Sequence, residues 1–431
     1  MPPPPPTLGR LSFATHVHSP RLLGTFPQPR ELDIEARGTE WDLARSLRHA
    51  TRLERLTLHV KWLRLELAQA VATLPRLQHL SLEMEPAEHP LEGPRVPQVE
   101  GDALEHLPAS LRDLRFHASA ESTFAADLAA FEQAAASSTA LEGLTQLHLR
   151  VHTLSRPLAA AVGRLTQLQR VVLVLEDPRG AEEVHLGRLD PGALPLVPCL
   201  RSLSIDDAMP ADLEEINLAA CGSSGSLDGL TWLDFNVLWE PEQPPPDIPP
   251  LRGLATLPAL ETLNVEHVLP EIWRCRSLTS LGVFDAELAA DDDLIEVDLP
   301  NLCALRFAGV SLLSGTLAPA LFASATGLTK LSLDGIEGSE WGAQRLLTLP
   351  PTLSALHHLV EFSLCVADGK LAPRSLAAMQ SLGCLRKLRL HRCGLDGLPG
   401  GPWLEGLTSL DITFNDFSPS LPFVGGHGGL A

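Results

Sequence analysis

The chain has 431 residues, 45% of them hydrophobic, with 53 Asp and Glu against 33 Lys and Arg, a formal charge of -20. That balance excludes a general phosphate-neutralising surface, so no nucleic acid is expected as a partner. No window reaches the roughly 18 to 20 apolar residues of a membrane-spanning helix, so no membrane partner is expected either.

In chain order, residues 1–7 (MPPPPPT) read as a proline-rich tail in polyproline II conformation. The N-terminus lacks a charged segment followed by a long apolar core, so no secretory signal is expected. Residues 8–52 read as degenerate repeats or a cap, with LGRLSF at Leu8 and PRELDI ending at Ile34.

From Leu53 an ordered series begins, with Leu at its first position and Leu, Ile, Val or Phe three and five residues on. It runs LERLTL (Leu53), LQHLSL (Leu77), LRDLRF (Leu111), LTQLHL (Leu144), LQRVVL (Leu168), LRSLSI (Leu200) and LTWLDF (Leu230). It continues with LETLNV (Leu260), LTSLGV (Leu278), LCALRF (Leu302), LTKLSL (Leu328), LVEFSL (Leu359), LRKLRL (Leu385) and LTSLDI (Leu407). Leu is 85 of the 431 residues, so about three strict matches would arise by chance; fourteen ordered units exceed that. A further Leu three residues before the first, not used to find the series, occurs in nine units, among them Leu74, Leu141, Leu257 and Leu382.

Each x-L-x-L core predicts a short strand with alternate residues inward, and each return segment must cover those leucines from outside. Helices are predicted at 41–49, 63–72, 124–136, 157–164 and 373–380. The 18-residue step from Leu260 to Leu278 is too short for a further helix. The segment 241–250 (PEQPPPDIPP) reads as a proline-rich loop on the outer face, because strands resume in phase after it.

The extended L-x-x-L-x-x-L-x-L unit resembles the leucine-rich-repeat family over 53–423. The closest matches are late: LRKLRLHRCGLDGLP puts Cys393, and LTSLDITFNDF puts Asn415, where the family has Asn or Cys. Ala208, Val268, Val310, Ile336 and Ala367 stand there in earlier units, so the side-chain ladder of the family should be largely missing and those turns less regular. The resemblance implies an α/β solenoid, or horseshoe, with a parallel concave sheet and a mixed convex side of helices and loops. It also implies a non-catalytic scaffold that binds protein through the concave face.

On that register the solvent-facing positions of the early units carry Arg55, His59, His79, Glu83, Asp113, Arg115, His117, His148, Arg150 and Arg170. The middle units carry Asp206, Trp232, Asp234, Asn236, Asn264, Glu266 and Phe284, and the late ones mixed charges from Arg306 to Asp411. Residues 201–300 alone hold 20 acidic and 4 basic groups, which locates most of the chain's excess charge. Trp232 and Phe284, aromatics among charges, are the expected anchors of an interface. Asp206, Asp234 and Glu266 around them fit a protein partner with a basic patch; Arg115, Arg150 and Arg170 complete the candidate set.

No P-loop, H-E-x-x-H, EF-hand or G-x-S-x-G motif occurs, so neither catalysis nor a cofactor is expected. Asp291, Asp292 and Asp293 lack a calcium loop's turn glycine and read as a solvated turn. Sixteen histidines raise a metal site, but His117 and His148 differ in offset within their units, as do His59 and His79, which argues against aligned ligands. Seven scattered cysteines without a C-x-x-C pair, and no N-x-[ST] sequon, favour a reducing, cytoplasmic location, with cytoskeletal association as a variant. The alternative is a receptor-type or ubiquitin-ligase substrate-recognition segment whose signal, membrane or recruiting module lies outside this chain. After the last unit, ahead of a glycine-rich tail, 424–431, either Phe414, Phe417, Leu421 and Phe423 fold back as an irregular cap, or the protein continues, or another chain covers the edge.

Overall fold

The computed structural model describes residues 10–14, 29–35, 40–84, 99–117, 124–137, 139–175, 188–197, 199–222, 227–237, 250–266, 270–288, 297–312, 317, 319–337, 346–367 and 369–416. The proline tail 1–7, the loop 241–249, Val268, Asp291–Asp293, Phe417, Leu421, Phe423 and the tail 424–431 lie outside them. The chain divides into two compact units, one of Met1–Leu230 with Leu238–Pro249, the other of Thr231–Val237 with Pro250–Ala431.

In the first unit β1 (Arg10–Ala14), β2 (Glu31–Glu35), β3 (Arg55–Val60), β4 (His79–Met84), β5 (Asp113–His117), β6 (Gln146–Val151), β7 (Arg170–Leu175) and β8 (Leu200–Ala208) pair in parallel, each with the next in the chain. In the second unit the same order runs through β9 (Trp232–Val237), β10 (Thr262–Val265), β11 (Ser280–Phe284), β13 (Ala304–Ala308), β15 (Lys330–Ile336), β17 (Glu361–Val366), β19 (Lys387–His391) and β20 (Ser409–Asp411). All fourteen repeat cores are therefore strands, and the two weaker matches ahead of them are β1 and β2. Two small outer ladders, β12 (Glu287–Leu288) with β14 (Ser311–Leu312) and β16 (Leu346–Leu347) with β18 (Lys370–Leu371), join consecutive turns of the second unit.

The alternation is what separates the two faces. Leu56, Leu58, Leu80, Leu82, Leu114, Phe116, Leu147 and Leu149 are at most 1% exposed. Each such side chain gains about 1.5–3 kcal/mol on leaving water, far more than any surface pair contributes. Register is accordingly fixed, because a one-residue slip would turn a unit's leucines to solvent.

A backbone spine reinforces it. The carbonyl ahead of most strands accepts two successive amides of the next repeat: Arg30 from Glu54 and Arg55, Glu54 from Gln78 and His79, Gln78 from Arg112 and Asp113. The second unit repeats the pattern at Thr231, Glu261, Thr279, Cys303, Thr329, Val360 and Arg386. The amides carry it, with a threonine hydroxyl adding a further bond at Arg112, Glu261, Cys303 and Arg386, so the spine persists where the asparagine ladder is lost.

That ladder appears where its residues are. Asn415 accepts from Cys393 N (3.0 Å) and Leu395 N (3.2 Å) and donates to Leu390 O (2.7 Å) and Ile412 O (2.8 Å). Cys393, buried, turns its Sγ to His391 O and Leu364 O. In earlier repeats other side chains satisfy the outer turns: Glu100 accepts from Leu65 N, Glu215 from Gly192 N, and Ser375 from Leu349 N. Asp212, with no exposed surface, accepts from Leu189 N (2.7 Å) and Met209 N (2.9 Å). The expected irregularity is present at Ile336, where the β15–β17 register shifts.

The five expected helices form, as Glu40–Leu47, Leu65–Ala72, Phe124–Ser137, Arg156–Gly163 and Pro373–Met379. Three more, Pro210–Cys221, Pro319–Ser324 and Pro402–Glu405, were not expected. The first escapes a reading by apolar period because its buried face carries Asp212 and Glu215 beside Leu213 and Ile216. The short step before Leu278 holds a 3₁₀ turn, Pro270–Arg274.

Candidate functional site

The strand positions facing away from the core form cross-strand rows. In the first unit one row reads Glu31, Arg55, His79, Asp113, Gln146, Arg170; the next Asp33, Thr57, Ser81, Arg115, His148, Val172; the third Glu35, His59, Glu83, His117, Arg150, Val174. On β2 to β4 acid and base alternate and engage. Arg55 lies 3.7 Å from Glu31, His59 touches Asp33 (3.4 Å) and Glu83 (3.0 Å), and His79 reaches Asp113 (3.2 Å). A groove of about 420 Å³ follows these strands, bordered by Glu31, Asp33, Arg55, His79 and Arg115.

The alternation stops at β5. Arg115 faces His148 across the ladder, and His117 faces Arg150, so four cationic or titratable groups occupy a two-by-two square. The histidines sit on one diagonal and their rings meet edge-on, 4.9 Å between centroids. The differing offsets therefore do not keep the two apart: diagonal neighbours on adjacent strands lie about 7–8 Å apart, within reach of imidazoles. Both Nε2 atoms are buried without a hydrogen-bond partner among the described residues. Burial first, then His148, Arg150 and Arg115, push the His117 pKa down to about 4. Burial, then Arg115, lowers that of His148. Arg115 and Arg170, both exposed, have no ion-pair partner among the described residues.

In the second unit the corresponding charges are paired. Lys330 and Lys387 flank Glu361, whose pKa their hydrogen bonds lower, Lys387 most. Arg389 meets Asp411 (3.3 Å), whose pKa falls mainly through the Thr413 amide, and Arg306 lies 3.9 Å from Asp334. Asp234 accepts from Asn264 (3.4 Å), but burial outweighs that bond and raises its pKa.

Trp232 is half-buried at the start of β9, two residues from Asp234. Phe284 ends β11, with Arg306 above its ring at 5.3 Å. The ring leans over Gly282, where a Cβ would come within 2.8 Å of it. The two aromatics thus stand two strands across and four residues along from each other and form separate patches rather than one anchor. Glu266 follows β10, half-buried, and Asp206 lies on β8 in the first unit. Arg115 and Arg150 share the square, and Arg170 is on the next strand.

Two further contacts went unread in the sequence. Cys365 Sγ and His391 Nδ1 lie 3.3 Å apart on β17 and β19, where both side chains hold the same offset from their unit's first Leu. Phe414 is 73% exposed, with its ring edge-on to His391 (4.8 Å), so it does not fold back as a cap over the last strand. Among the described residues, no group of three or more His, Cys, Asp or Glu is arranged to hold a metal ion, and no helix is long and apolar enough to cross a membrane.

No model of a known protein family matches the chain, and no curated protein matches its sequence. Solved structures do match its shape. A leucine-rich-repeat protein of Leptospira interrogans superposes with a TM-score of 0.50 at 16% identity, over 95% of each chain. The mouse RP105/MD-1 complex gives 0.50 at 14% identity, over 96% of this chain and 76% of the other. The Drosophila Toll–Spatzle complex gives 0.53 at 17% identity, over 90% of this chain and 48% of the other. Identities this low speak for the fold alone. Strands in phase with every L-x-x-L-x-L core, parallel pairing and a mixed outer layer agree with them: the chain is a leucine-rich-repeat α/β solenoid.

Proposed function

We propose that the chain is a non-catalytic, intracellular scaffold that holds a protein partner against the face of its strands opposite the leucine core. One observation carries this reading. The register places charged, polar and aromatic side chains of successive strands side by side on that face, as the row Asp234, Asn264, Gly282, Arg306 illustrates beside Trp232 and Phe284. Aromatic rings among hydrogen-bonded polar groups are the side chains on which protein interfaces concentrate their energy. In the second unit Asp234 and Glu266 favour a basic patch on the partner that meets them. RP105 with MD-1 and Toll with Spatzle, similar in fold, are complexes with protein partners.

The test is capture of the partner by the immobilised chain, with identification by mass spectrometry. Replacing Trp232→Ala, Asp234→Asn and Phe284→Ala together should weaken the captured interaction about tenfold or more. Unchanged capture would remove this face as the binding face. The Toll and RP105 structures also motivate a second reading, a segment of a receptor-type protein. Localising the tagged full-length gene product separates the two, since surface display contradicts an intracellular scaffold.

A further inference from the structure

On the concave face of β5–β7, we infer, lies a docking site for an acidic, extended protein segment, with Arg115 and Arg170 receiving its carboxylates and Arg150 adding positive charge beside them. The inference rests on the reading of this face as a binding surface, but not on the patch at Trp232.

Three observations converge. Along β2 to β4 the cations meet acids across the strands, and the two acids nearest the square, Glu83 and Asp113, are already held by His59 and His79. From β5 to β7 the rows add Arg115, His117, His148, Arg150 and Arg170 with no further acid. Like charges so close repel one another, and an arriving carboxylate relieves that repulsion at several groups simultaneously. Second, the two orphaned Nε2 atoms are nitrogens whose burial is uncompensated, and a bound oxyanion supplies the missing acceptor once they carry protons. Third, the groove over β2–β5 reaches Arg115, so the face is open on that side of the square, while its own acids, Glu31, Asp33, Glu83 and Asp113, direct an acidic segment onto β5–β7 rather than along the groove.

The geometry suits peptide carboxylates. Adjacent strands lie about 4.8 Å apart and alternate residues along a strand about 6.6 Å, so Arg115 and Arg170, two strands and one such step apart, are separated by about 12 Å at the backbone. Side chains four residues apart on an extended acidic segment, about 13 Å, have closely similar spacing. A nucleic acid fits less well: the square has no exposed aromatic platform for stacking bases, only edge-packed imidazoles, and the chain as a whole carries -20.

The charged and titratable neighbours of the two imidazoles are His59 on β3; His79 and Glu83 on β4; Asp113 and Arg115 on β5; Arg150 on β6; and Arg170 on β7. An incoming carboxylate offsets the arginines, so docking favours protonation of His117 and His148. Binding should therefore take up protons and tighten as pH falls from 8 to 6.

The experiment measures anisotropy of a fluorescein-labelled octaglutamate peptide with the full chain at low salt. We expect saturable binding that weakens with added salt and drops about tenfold or more in R115Q/R170Q. R389Q, which breaks a pair in the second unit, should bind as the wild type does. His117→Asn with His148→Asn should keep the affinity at pH 8 and lose the tightening at pH 6. Absence of saturable binding, equal binding by R115Q/R170Q, or displacement of the peptide at lower concentration by an oligothymidylate of equal charge would each overturn the assignment. Loss of the peptide site with partner capture through Trp232 intact sinks this inference alone. Intact peptide binding with capture indifferent to the Trp232 variants sinks only the placement of the partner there.

Discussion

His117 illustrates how a side chain on an open sheet face comes to act on stability. Its pKa is about 4 in the fold against 6.5 in an unfolded chain, so between those values the unfolded state binds more protons. Stability must then fall as pH drops from 6.5 to 4. The full shift would correspond to about 3 kcal/mol, and screening of a half-exposed group reduces it to about 1–2. Replacing His117→Gln should flatten that limb of a urea-unfolding profile against pH while leaving the wild-type value near pH 8 within about 0.5 kcal/mol. An unchanged slope would assign the acid sensitivity elsewhere. Asp212 is the opposite case, a carboxylate whose pKa burial raises although the backbone amides of Met209, Leu189 and Arg188 reward its charge.

Among the elements, the packing of one return segment on the next leaves little room. Gly163 ends the helix Arg156–Gly163, and a Cβ there would sit 2.4 Å from the carbonyl oxygen of Leu196 in the following return. Backbone cannot yield as a side-chain tip does, so Gly163→Ala should cost about 1–3 kcal/mol, read as a lowered urea midpoint with an unchanged m-value. A midpoint equal to the wild type's would show that the returns slide freely. The strands were legible because burial enforces L-x-x-L-x-L at every one. The helix Pro210–Cys221 was not, because buried Asp212 and Glu215 interrupt its apolar period while doing what asparagine does at Asn415. The candidate face was legible position by position, since facing follows from the register. Which side chains engage one another was not: His117 and His148 meet although their offsets differ, and Trp232 and Phe284, both expected to anchor an interface, stand two strands apart. Those contacts depend on rotamers and on the Gly282 floor beneath Phe284, which no spacing encodes.

For the whole molecule, the charge of -20 acts as a diffuse self-repulsion, while the cross-strand pairs act at contact. Salt screens exposed charges over about 8 Å at physiological strength, so the two respond in opposite directions. With 20 of the acids in residues 201–300 against 4 bases, repulsion should dominate. Raising NaCl to ~0.3 M is expected to increase Tm by a few degrees in a thermal scan. A decrease would mean that pairs such as Arg389–Asp411 outweigh it.

The carbonyl spine has a mechanical corollary. Tension applied along the stack of either unit loads its inter-strand ladders in series, so every ladder feels the same force and the one with the fewest bonds yields first. In the second unit that is the β19–β20 ladder, with three register pairs, while in the first unit β6–β7, with six, is among the last. A solenoid built this way should lengthen under load by shedding repeats singly from its weakest rung rather than by tearing at once.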